Sequence, residues 1–457
     1  MKKFLTIMSS VLLLSSCGIY NKYERPEVKT AGLVRDASSL TDTLAVSDTL
    51  SFGKMPWRSV FTDPQLQSLI ETGLANNADL LNAALNVKMV EEQLKVAKLA
   101  FLPSLAFTPQ GTIASFDGAK ATRSYSLPVT ASWNVDLFGN LLNAKRGTQV
   151  QLLATKDYQT VVKTNVISGI ANLYYTLLML DRQLEIVTDM TVLTKDTWDM
   201  MKLQMQLGRA RSTSVQSSEA SYYSVQAQAV NIKQKIREME NSLSLLIGQP
   251  AQTIRRGKLE KQSLPTSFST GVGIQLLNNR ADVHAAEMNL AQCFYDINVA
   301  RSRFYPNIKI SGTGAFTNNN GFVNPGKVLL SVVGSLVQPI FQHGQIVAGL
   351  KVAKMQYEKA YNTWQNTILK AGNEVSNALV MYNSADERSR LEARQVEVLA
   401  KNVEDAKMLF TDSRSTYLEV IQAQSGLLNA ELSKVADDFY KMQAVVNLYQ
   451  ALGGGAN

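Results

Sequence analysis

The residue types best suited to covalent or metal chemistry are few and far apart in this chain of 457 residues. The two histidines, His284 and His343, stand alone, without the spacing of a metal site or a catalytic triad. The two cysteines are Cys17 and Cys293, and Cys293 lies in a helical run where a small buried apolar side chain is expected. Hydrolysis and group transfer need an activated nucleophile or a metal ion. The sequence therefore predicts no enzyme, no metal site and no cofactor.

Cys17 follows a segment that is built for export. Lys2 and Lys3 precede an apolar stretch, Phe4 to Leu14, that is too short to span a bilayer as a helix. The residues Leu14-Ser15-Ser16-Cys17 resemble the site at which bacterial lipoprotein precursors are cut. We therefore expect a lipoprotein signal peptide over residues 1–16 and a lipidated extension over 17–56, with Cys17 as the acylated residue.

The charge balance narrows the range of partners. The chain has 46 basic and 38 acidic residues, a net charge of +8, and the two signs are interspersed. Together with an export signal, this distribution argues against nucleic acid as a partner. No apolar run near eighteen residues follows residue 17, so a membrane-spanning part would have to consist of strands.

An internal repeat organises the rest of the chain. FLPSL at 101–105 returns as FYPNI at 304–308, an offset of 304 − 101 = 203 residues. At the same offset Asn76 matches Asn279 and Asp79 matches Asp282. Self-similarity of this kind indicates duplication of one structural unit. We expect a first repeat over residues 57–265 and a second over 266–457.

Long helices are predicted from the placement of proline. Residues 129–249 and 340–457 contain no proline, and proline breaks helix interiors. Within both stretches apolar residues step alternately by three and four, for example from 225 to 246 and from 428 to 449. Such heptads pack helices side by side, as in a coiled coil.

Between the helical stretches the apolar period changes to two. In residues 124–137 every odd position is apolar, and the even positions are polar apart from Pro128. Similar alternation near 105–113 and 308–317 predicts two β-hairpins, at about 103–138 and 306–341, and hence four strands. A small soluble sheet packed on helices would alternate equally well. The export signal and the lipid anchor favour strands in a membrane. Four strands cannot close a barrel, so the open edges would have to pair with other copies of the chain.

The chain resembles TolC-like outer-membrane efflux proteins, in the lipoprotein branch of multidrug efflux channels. The features that carry the resemblance are the lipoprotein cleavage site, Tyr23-Glu24-Arg25-Pro26, Trp57, the two helix-to-strand prolines, Asp136-Leu137-Phe138-Gly139 and Ala451-Leu452-Gly453-Gly454-Gly455. The resemblance implies a mixed α and β membrane protein that forms a homotrimer. It implies a twelve-stranded barrel in the outer-membrane lipid, four strands per chain, and a long helical tunnel in the periplasm. It also implies a periplasmic adaptor and an inner-membrane pump, most often of the resistance-nodulation-division type, as partners.

The resemblance also assigns candidate site residues at two helix-helix turns. The first turn would dock the adaptor through Gly208, Arg209, Arg211 and Thr213, and the second through Ser413, Arg414 and Thr416. Solubilising charge at an exposed turn would explain the three arginines equally well. Many relatives close the tunnel with an aspartate where this chain has Gln422, so a neutral ring is expected there. Glu419, one helical turn away, could supply the missing charge.

Three interpretations of function remain open at this point. The first is a passive exit duct for drugs and other small molecules, opened at its periplasmic tip. The second is a duct of the same fold for peptides or proteins. The third is a lipid-anchored periplasmic scaffold without a pore.

Overall fold

The computed structural model describes residues 20, 22–28, 33, 52–115, 117–265, 280–318, 327–412, 414 and 416–456. The expected signal peptide, Cys17 and Ser413 lie outside these residues. Eight α-helices are found in the described part of the chain: α1 (Trp57–Val60), α2 (Pro64–Asn76), α3 (Ala78–Leu99), α4 (Asn140–Gln206), α5 (Ser212–Leu246), α6 (Ala281–Ser302), α7 (Gln345–Thr411) and α8 (Tyr417–Ala451).

The helices occur in pairs of equal length along the chain. Helices α3 and α6 each have 22 residues, α4 and α7 each have 67, and α5 and α8 each have 35. A helix of 67 residues is about 100 Å long at about 1.5 Å per residue. None of the described helices combines the length and apolar composition needed to cross a membrane.

The strands form one antiparallel sheet. They are β1 (Ser104–Phe107), β2 (Gln110–Ala114), β3 (Thr122–Val135), β4 (Asn307–Asn318) and β5 (Lys327–Val337). Strands β1 and β2 both pair with β3, which pairs with β4, which pairs with β5. The sheet therefore has one edge formed by β1 and β2 and another formed by β5.

The described sheet has five strands where four were predicted, because the first strand is interrupted. Its register on β3 is the same on both sides of the gap, with Phe107 opposite Val129 and Gln110 opposite Ser126. In the gap the Thr108 amide donates to the Pro128 carbonyl at 3.2 Å. Pro109 and Pro128 have no backbone N–H, so neither can donate a hydrogen bond between the two strands. The final strand also ends at Val337 instead of near 341, just before Pro339.

The two faces of the sheet differ in polarity. Thr130 and Thr313 lie opposite each other with their hydroxyl oxygens 3.1 Å apart, and Ser132 and Ser311 form the next pair at 3.4 Å. Side chains alternate between faces along a strand, so even positions of β3 share this polar face with odd positions of β4. The other face carries Leu127 opposite Phe316 and Trp133 opposite Ile310, all about two-fifths exposed.

Prolines separate the helices from the strands, as predicted. Pro103 lies between the end of α3 and Ser104 of β1, and Pro306 lies between the end of α6 and Asn307 of β4. Directly after β3, at the same end of the sheet, the Asp136 carboxylate accepts the Leu141 and Leu142 amides of α4 at 3.1 and 2.7 Å. This cap satisfies two of the free N–H groups at the start of that helix.

The described residues divide into two compact units. The first, here called the sheet unit, takes its described residues from Met1–Val28, Leu85–Asp157 and Asp282–Thr367. The second, here called the helical unit, takes them from Lys29–Ala84, Tyr158–Ala281 and Ile368–Asn457. The helical unit holds a large apolar core drawn from α1, α2, α4, α5, α7 and α8.

The glycines after α8 are part of the core of the helical unit. The Tyr449 hydroxyl donates to the Met55 carbonyl at 2.6 Å and accepts the Gly455 amide at 2.9 Å. A Cβ added to Gly454 would lie 2.4 Å from the Tyr449 ring. Burial raises the pKa of Tyr449 to about 12. The ring therefore stays neutral and fills space that only a glycine leaves open.

The Tyr23–Pro26 motif has a structural role in the sheet unit. The Arg25 guanidinium donates to both carboxylate oxygens of Glu287 in α6, with Nε to Oε1 at 2.7 Å. The Glu287 side chain is only 6% exposed, against 45% for Arg25. The Tyr23 ring packs edge-on against Phe294, with ring centroids 5.9 Å apart. Residues 22–28, here called the N-terminal segment, are thus fastened to α6.

Candidate functional site

The first predicted turn joins α4 to α5 in the helical unit and is built around Gly208. The Gly208 amide donates to the Met205 carbonyl at 2.9 Å, and the Arg209 amide donates to the Gln204 carbonyl at 2.8 Å. This pair of bonds is a Schellman motif, which needs a left-handed residue after the helix. Gly208 supplies it with φ of +72°, and no atom lies within 4 Å of the place of its missing Cβ. The turn is therefore exposed and depends on glycine for its backbone angle.

The polar side chains of this turn point into open space. Arg209, Arg211 and Thr213 are all exposed. Arg211 is the N-cap residue of α5 but makes no side-chain capping bond. Within the described residues, neither arginine forms an ion pair. The first turn thus presents two cations that are free to meet an acidic partner.

The second predicted turn joins α7 to α8 and repeats part of this geometry. The Arg414 amide donates to the Leu409 carbonyl at 2.8 Å, as Arg209 does to Gln204 in the first turn. Arg414 and Thr416 are exposed. The Thr416 hydroxyl lies 3.2 Å from the Glu419 carboxylate, in the Thr-x-x-Glu spacing of a capping box.

The two predicted gate residues lie on the first turns of α8 and are both exposed. The Glu419 carboxylate interacts with Thr416 at the helix start, so part of its hydrogen-bonding capacity is used there. Gln422 follows three residues later. Both side chains lie on the surface of α8.

A buried amide close to the predicted gate was missed by sequence reasoning. Gln424 is only 2% exposed, and its Nε2 donates to the Thr197 hydroxyl of α4 at 3.0 Å and to the Leu193 carbonyl at 3.4 Å. Its Oε1 has no hydrogen-bond partner among the described residues. Leaving such a group unsatisfied costs about 1–3 kcal/mol. The contact between α4 and α8 is therefore only partly satisfied near the turns.

Helices α4 and α5 are held together by aromatic rings above the first turn. Trp198 stacks on Tyr222 with centroids 5.6 Å apart and ring planes at 23°. The Lys202 ammonium lies 3.3 Å from the Trp198 ring centroid and 3.1 Å from the Asp199 carboxylate. Aromatic and cation–π contacts of this kind stabilise the pair beyond simple burial.

Helices α7 and α8 are joined by charged groups instead. Arg388 donates through Nε and an Nη to Asp437 at 2.7–3.0 Å, and the Asp437 side chain is 7% exposed. Lys441 donates to Asp386 at 2.5 Å, and this bond outweighs burial and holds the pKa of Asp386 below its usual value. Burial and the nearby Asp437 raise the pKa of Glu392, whose Oε2 has no partner among the described residues. The two helix pairs thus have different chemistry, one aromatic and one ionic.

The groups at the turns and between the helices are suited to binding a partner and to helix movement. No group of histidine, cysteine, aspartate or glutamate side chains within the described residues could hold a metal ion. An exposed glycine turn, a buried amide with one unpaired atom and ion pairs between helices can all rearrange without any covalent bond being made or broken.

A solved structure shows the fold class of the chain, and a family model shows its family. A chain that combines a small antiparallel sheet with helix pairs of this length has the fold of outer-membrane channel proteins: the Campylobacter jejuni outer-membrane channel CmeC matches with a TM-score of 0.86 at 19% identity, over 96% of this chain and 95% of that one. The family model for outer membrane efflux proteins matches residues 69–249 and 273–454, so the chain belongs to that family.

Two curated relatives match almost end to end. The cation efflux system protein CusC of Escherichia coli K12 is 25% identical over 453 residues, which cover 97% of each chain. The probable outer membrane lipoprotein SilC of Salmonella typhimurium is 25% identical over 464 residues, covering 99% of this chain and 98% of its own. The family is one of transport proteins, and this chain is an outer-membrane component of an efflux system.

Proposed function

We propose that the chain is a passive exit channel for drugs and other small molecules in a tripartite efflux system, and that three copies are needed to form it. The observation that carries this proposal is the sheet, which has a polar face, an apolar face and two open edges. A wall between water and lipid needs this combination. A soluble sheet would bury its apolar face, whereas Leu330 and Val332 of β5 are 80% and 81% exposed.

The open edges support assembly into a ring. Unpaired backbone groups in lipid cost several kcal/mol each, so the edge formed by β1 and β2 must pair with the β5 edge of another copy. Because β1 and β2 keep one register on β3, they count as one interrupted strand, which leaves four strands per chain. Three chains then provide the twelve strands of the expected barrel. The pairs of equal helices support a duplication with repeats over 57–265 and 266–457.

The turns support docking and gating by partner proteins. The exposed Gly208 and Arg414 turns would receive a periplasmic adaptor, which in turn binds an inner-membrane pump of the resistance-nodulation-division type. At rest the helix ends would close around Gln422 and Glu419, and the adaptor would shift the population toward an open arrangement. Acylation of Cys17 would anchor each chain in the outer-membrane lipid, and the relative SilC is a probable outer membrane lipoprotein.

The proposal is tested by assembly, conductance and drug sensitivity measured together. We expect the full-length protein to run as a heat-modifiable trimer, to conduct ions in planar bilayers, and to restore drug resistance to a deletion strain. Conductance with unchanged drug sensitivity, but loss of a secreted peptide in the deletion strain, would favour the peptide or protein duct. A folded trimer that never conducts would favour the scaffold.

A further inference from the structure

The charges on the sheet are all of one sign. The five strands contain Arg123, Lys309 and Lys327, and no aspartate or glutamate. A channel segment lined by one sign of charge concentrates ions of the opposite sign. The position of these three cations on the two faces therefore decides which ions the sheet would attract.

Two of the three cations lie on the polar face. Lys309 is two residues from Ser311 on β4 and thus on the same side as the paired hydroxyls. Lys327 of β5 lies opposite Thr317, which is also an odd position of β4. Within the described residues, neither lysine forms an ion pair. Arg123 occupies an odd position of β3, opposite Ile113 of β2, and so belongs to the apolar face.

The sheet unit has a cavity of about 480 Å³ at one end of the polar face. It is separate from a cavity of about 530 Å³ in the helical unit. It lies where β3 and β5 end, where α6 ends, and where α4 and α7 begin. Asn134 and Asn307 line it from the polar face, and Arg303 lines it from the chain that follows α6. Its volume is in the usual range of small-molecule sites.

The free polar groups of this cavity favour an anion. Arg303 makes no ion pair within the described residues. The cavity is also lined by the side-chain amides of Asn134, Asn307, Gln342 and Gln345. None of these four amides has a hydrogen-bond partner among the residues that the structure describes. A guanidinium beside amide N–H groups matches carboxylate, phosphate or sulfate oxygens.

Among the described residues that line the cavity, the one acidic side chain, Asp136, is already engaged. Both carboxylate oxygens of Asp136 accept backbone N–H groups of α4. Asn140 donates to the buried Ser302 hydroxyl at 2.7 Å, so this pair is satisfied as well. The stacked rings of Phe138 and Tyr305, with centroids 4.9 Å apart, give the cavity an apolar wall. An organic anion, with one charged group and an apolar body, fits both parts.

We propose that the polar face of the sheet forms an anion-selective segment of the channel, in which Lys309 sets the sign of the selectivity and the Arg303 cavity binds anionic cargo. The inference rests on the proposed function, because it places the polar face toward the water path. It extends that function by giving the cargo a chemical class: small organic anions that carry a carboxylate, phosphate or sulfate group. Three copies would bring three Lys309 and three Arg303 side chains to the same path.

Ion selectivity in planar bilayers of neutral phosphatidylcholine tests the role of Lys309. The full-length lipidated protein is placed in a gradient of potassium chloride, and the reversal potential gives the chloride-to-potassium permeability ratio. We expect a ratio above one that grows as ionic strength falls, because screening weakens. Lys309→Gln should lower the ratio about twofold, and Lys309→Glu should bring it below one. Arg123→Gln is the matched control, since it removes the same charge from the other face.

Block of the current by inorganic phosphate tests the cavity. Arg303→Gln should weaken the block about tenfold, the effect of losing one charge-assisted hydrogen-bonded contact. Arg301→Gln, an exposed arginine that does not line the cavity, should leave the block unchanged. Both arginines are exposed, so the variants are expected to assemble, and heat-modifiable migration verifies the trimer.

The outcomes separate this inference from the proposed function. A wild-type protein that conducts neither alone nor with its adaptor bound overturns the channel itself. A conducting protein that prefers potassium, or whose selectivity is the same in Lys309→Glu and wild type, overturns the anion-selective segment. Phosphate block that survives Arg303→Gln, or is lost equally in Arg301→Gln, overturns the cavity as the binding site.

Discussion

The ion pair between Arg25 and Glu287 gives a quantitative test of how the N-terminal segment is held. Replacing Arg25 by glutamine would leave the Glu287 carboxylate buried and without its cation. Breaking a buried pair from one side costs about 3–5 kcal/mol. Because 45% of the Arg25 side chain is exposed, water partly screens the pair, and we expect a smaller loss of about 2–3 kcal/mol.

Hydrogen exchange measures this loss locally. A loss of about 2–3 kcal/mol corresponds to a rise of about 30-fold to about 150-fold in the opening constant of α6. The double variant Arg25→Gln with Glu287→Gln removes both charges and should lose only about 1 kcal/mol, because no uncompensated charge is left buried. Lys22→Gln is the matched control: it removes a positive charge from an exposed residue of the same segment and should leave α6 unchanged.

Two results would contradict this role of the ion pair. Exchange in α6 that stays the same in Arg25→Gln would mean that the pair does not hold the segment. A double variant that is less stable than Arg25→Gln would mean that the loss comes from packing and not from the buried charge.

Three further predictions follow from single positions. Gly208→Leu forces a side chain into φ of +72°, at about 1–2 kcal/mol, and should reduce drug resistance in a complemented strain while the trimer persists; full resistance would contradict it. Gly454→Ala places a Cβ 2.4 Å from the Tyr449 ring and should lower the unfolding free energy by about 1–3 kcal/mol, whereas Gly349→Ala in α7, with no atom within 4 Å, should not. Glu392→Gln should raise the thermal midpoint at neutral pH. The raised pKa of Glu392 means that its ionised form disfavours folding, so this gain should vanish below the ordinary value of 4.5; a gain that persists at low pH would disprove it.

Local signals predicted the helices and their junctions with the strands. The absence of proline over 129–249 and 340–457 reflects a local rule, since proline disrupts a helix wherever it falls. The interruption between β1 and β2 was not predicted because it depends on pairing. Pro109 and Pro128 weaken the same short stretch of ladder only when the register brings them together.

The candidate site likewise contains residues that local sequence signals predict and residues that they do not. Gly208 could be recognised because a turn between two helices favours glycine in the left-handed region. Gln424 and the Arg388–Asp437 pair could not, because their roles depend on which helix faces them. Asp437 differs little in sequence from any exposed acidic residue of a heptad, and only the approach of Arg388, 49 positions away, explains its burial.

The contact between Tyr449 and Met55 sets an order in which the helical unit can be completed. The two residues are 394 positions apart, and an exported chain is delivered to the periplasm from its N-terminus. Phe52 and Phe61, whose ring centroids lie 5.5 and 5.8 Å from that of Tyr449, must therefore wait for their partner until nearly the whole chain has been translocated. A stalled or shortened chain would keep these rings uncovered, and this gives periplasmic chaperones and proteases a means of telling unfinished chains from finished ones.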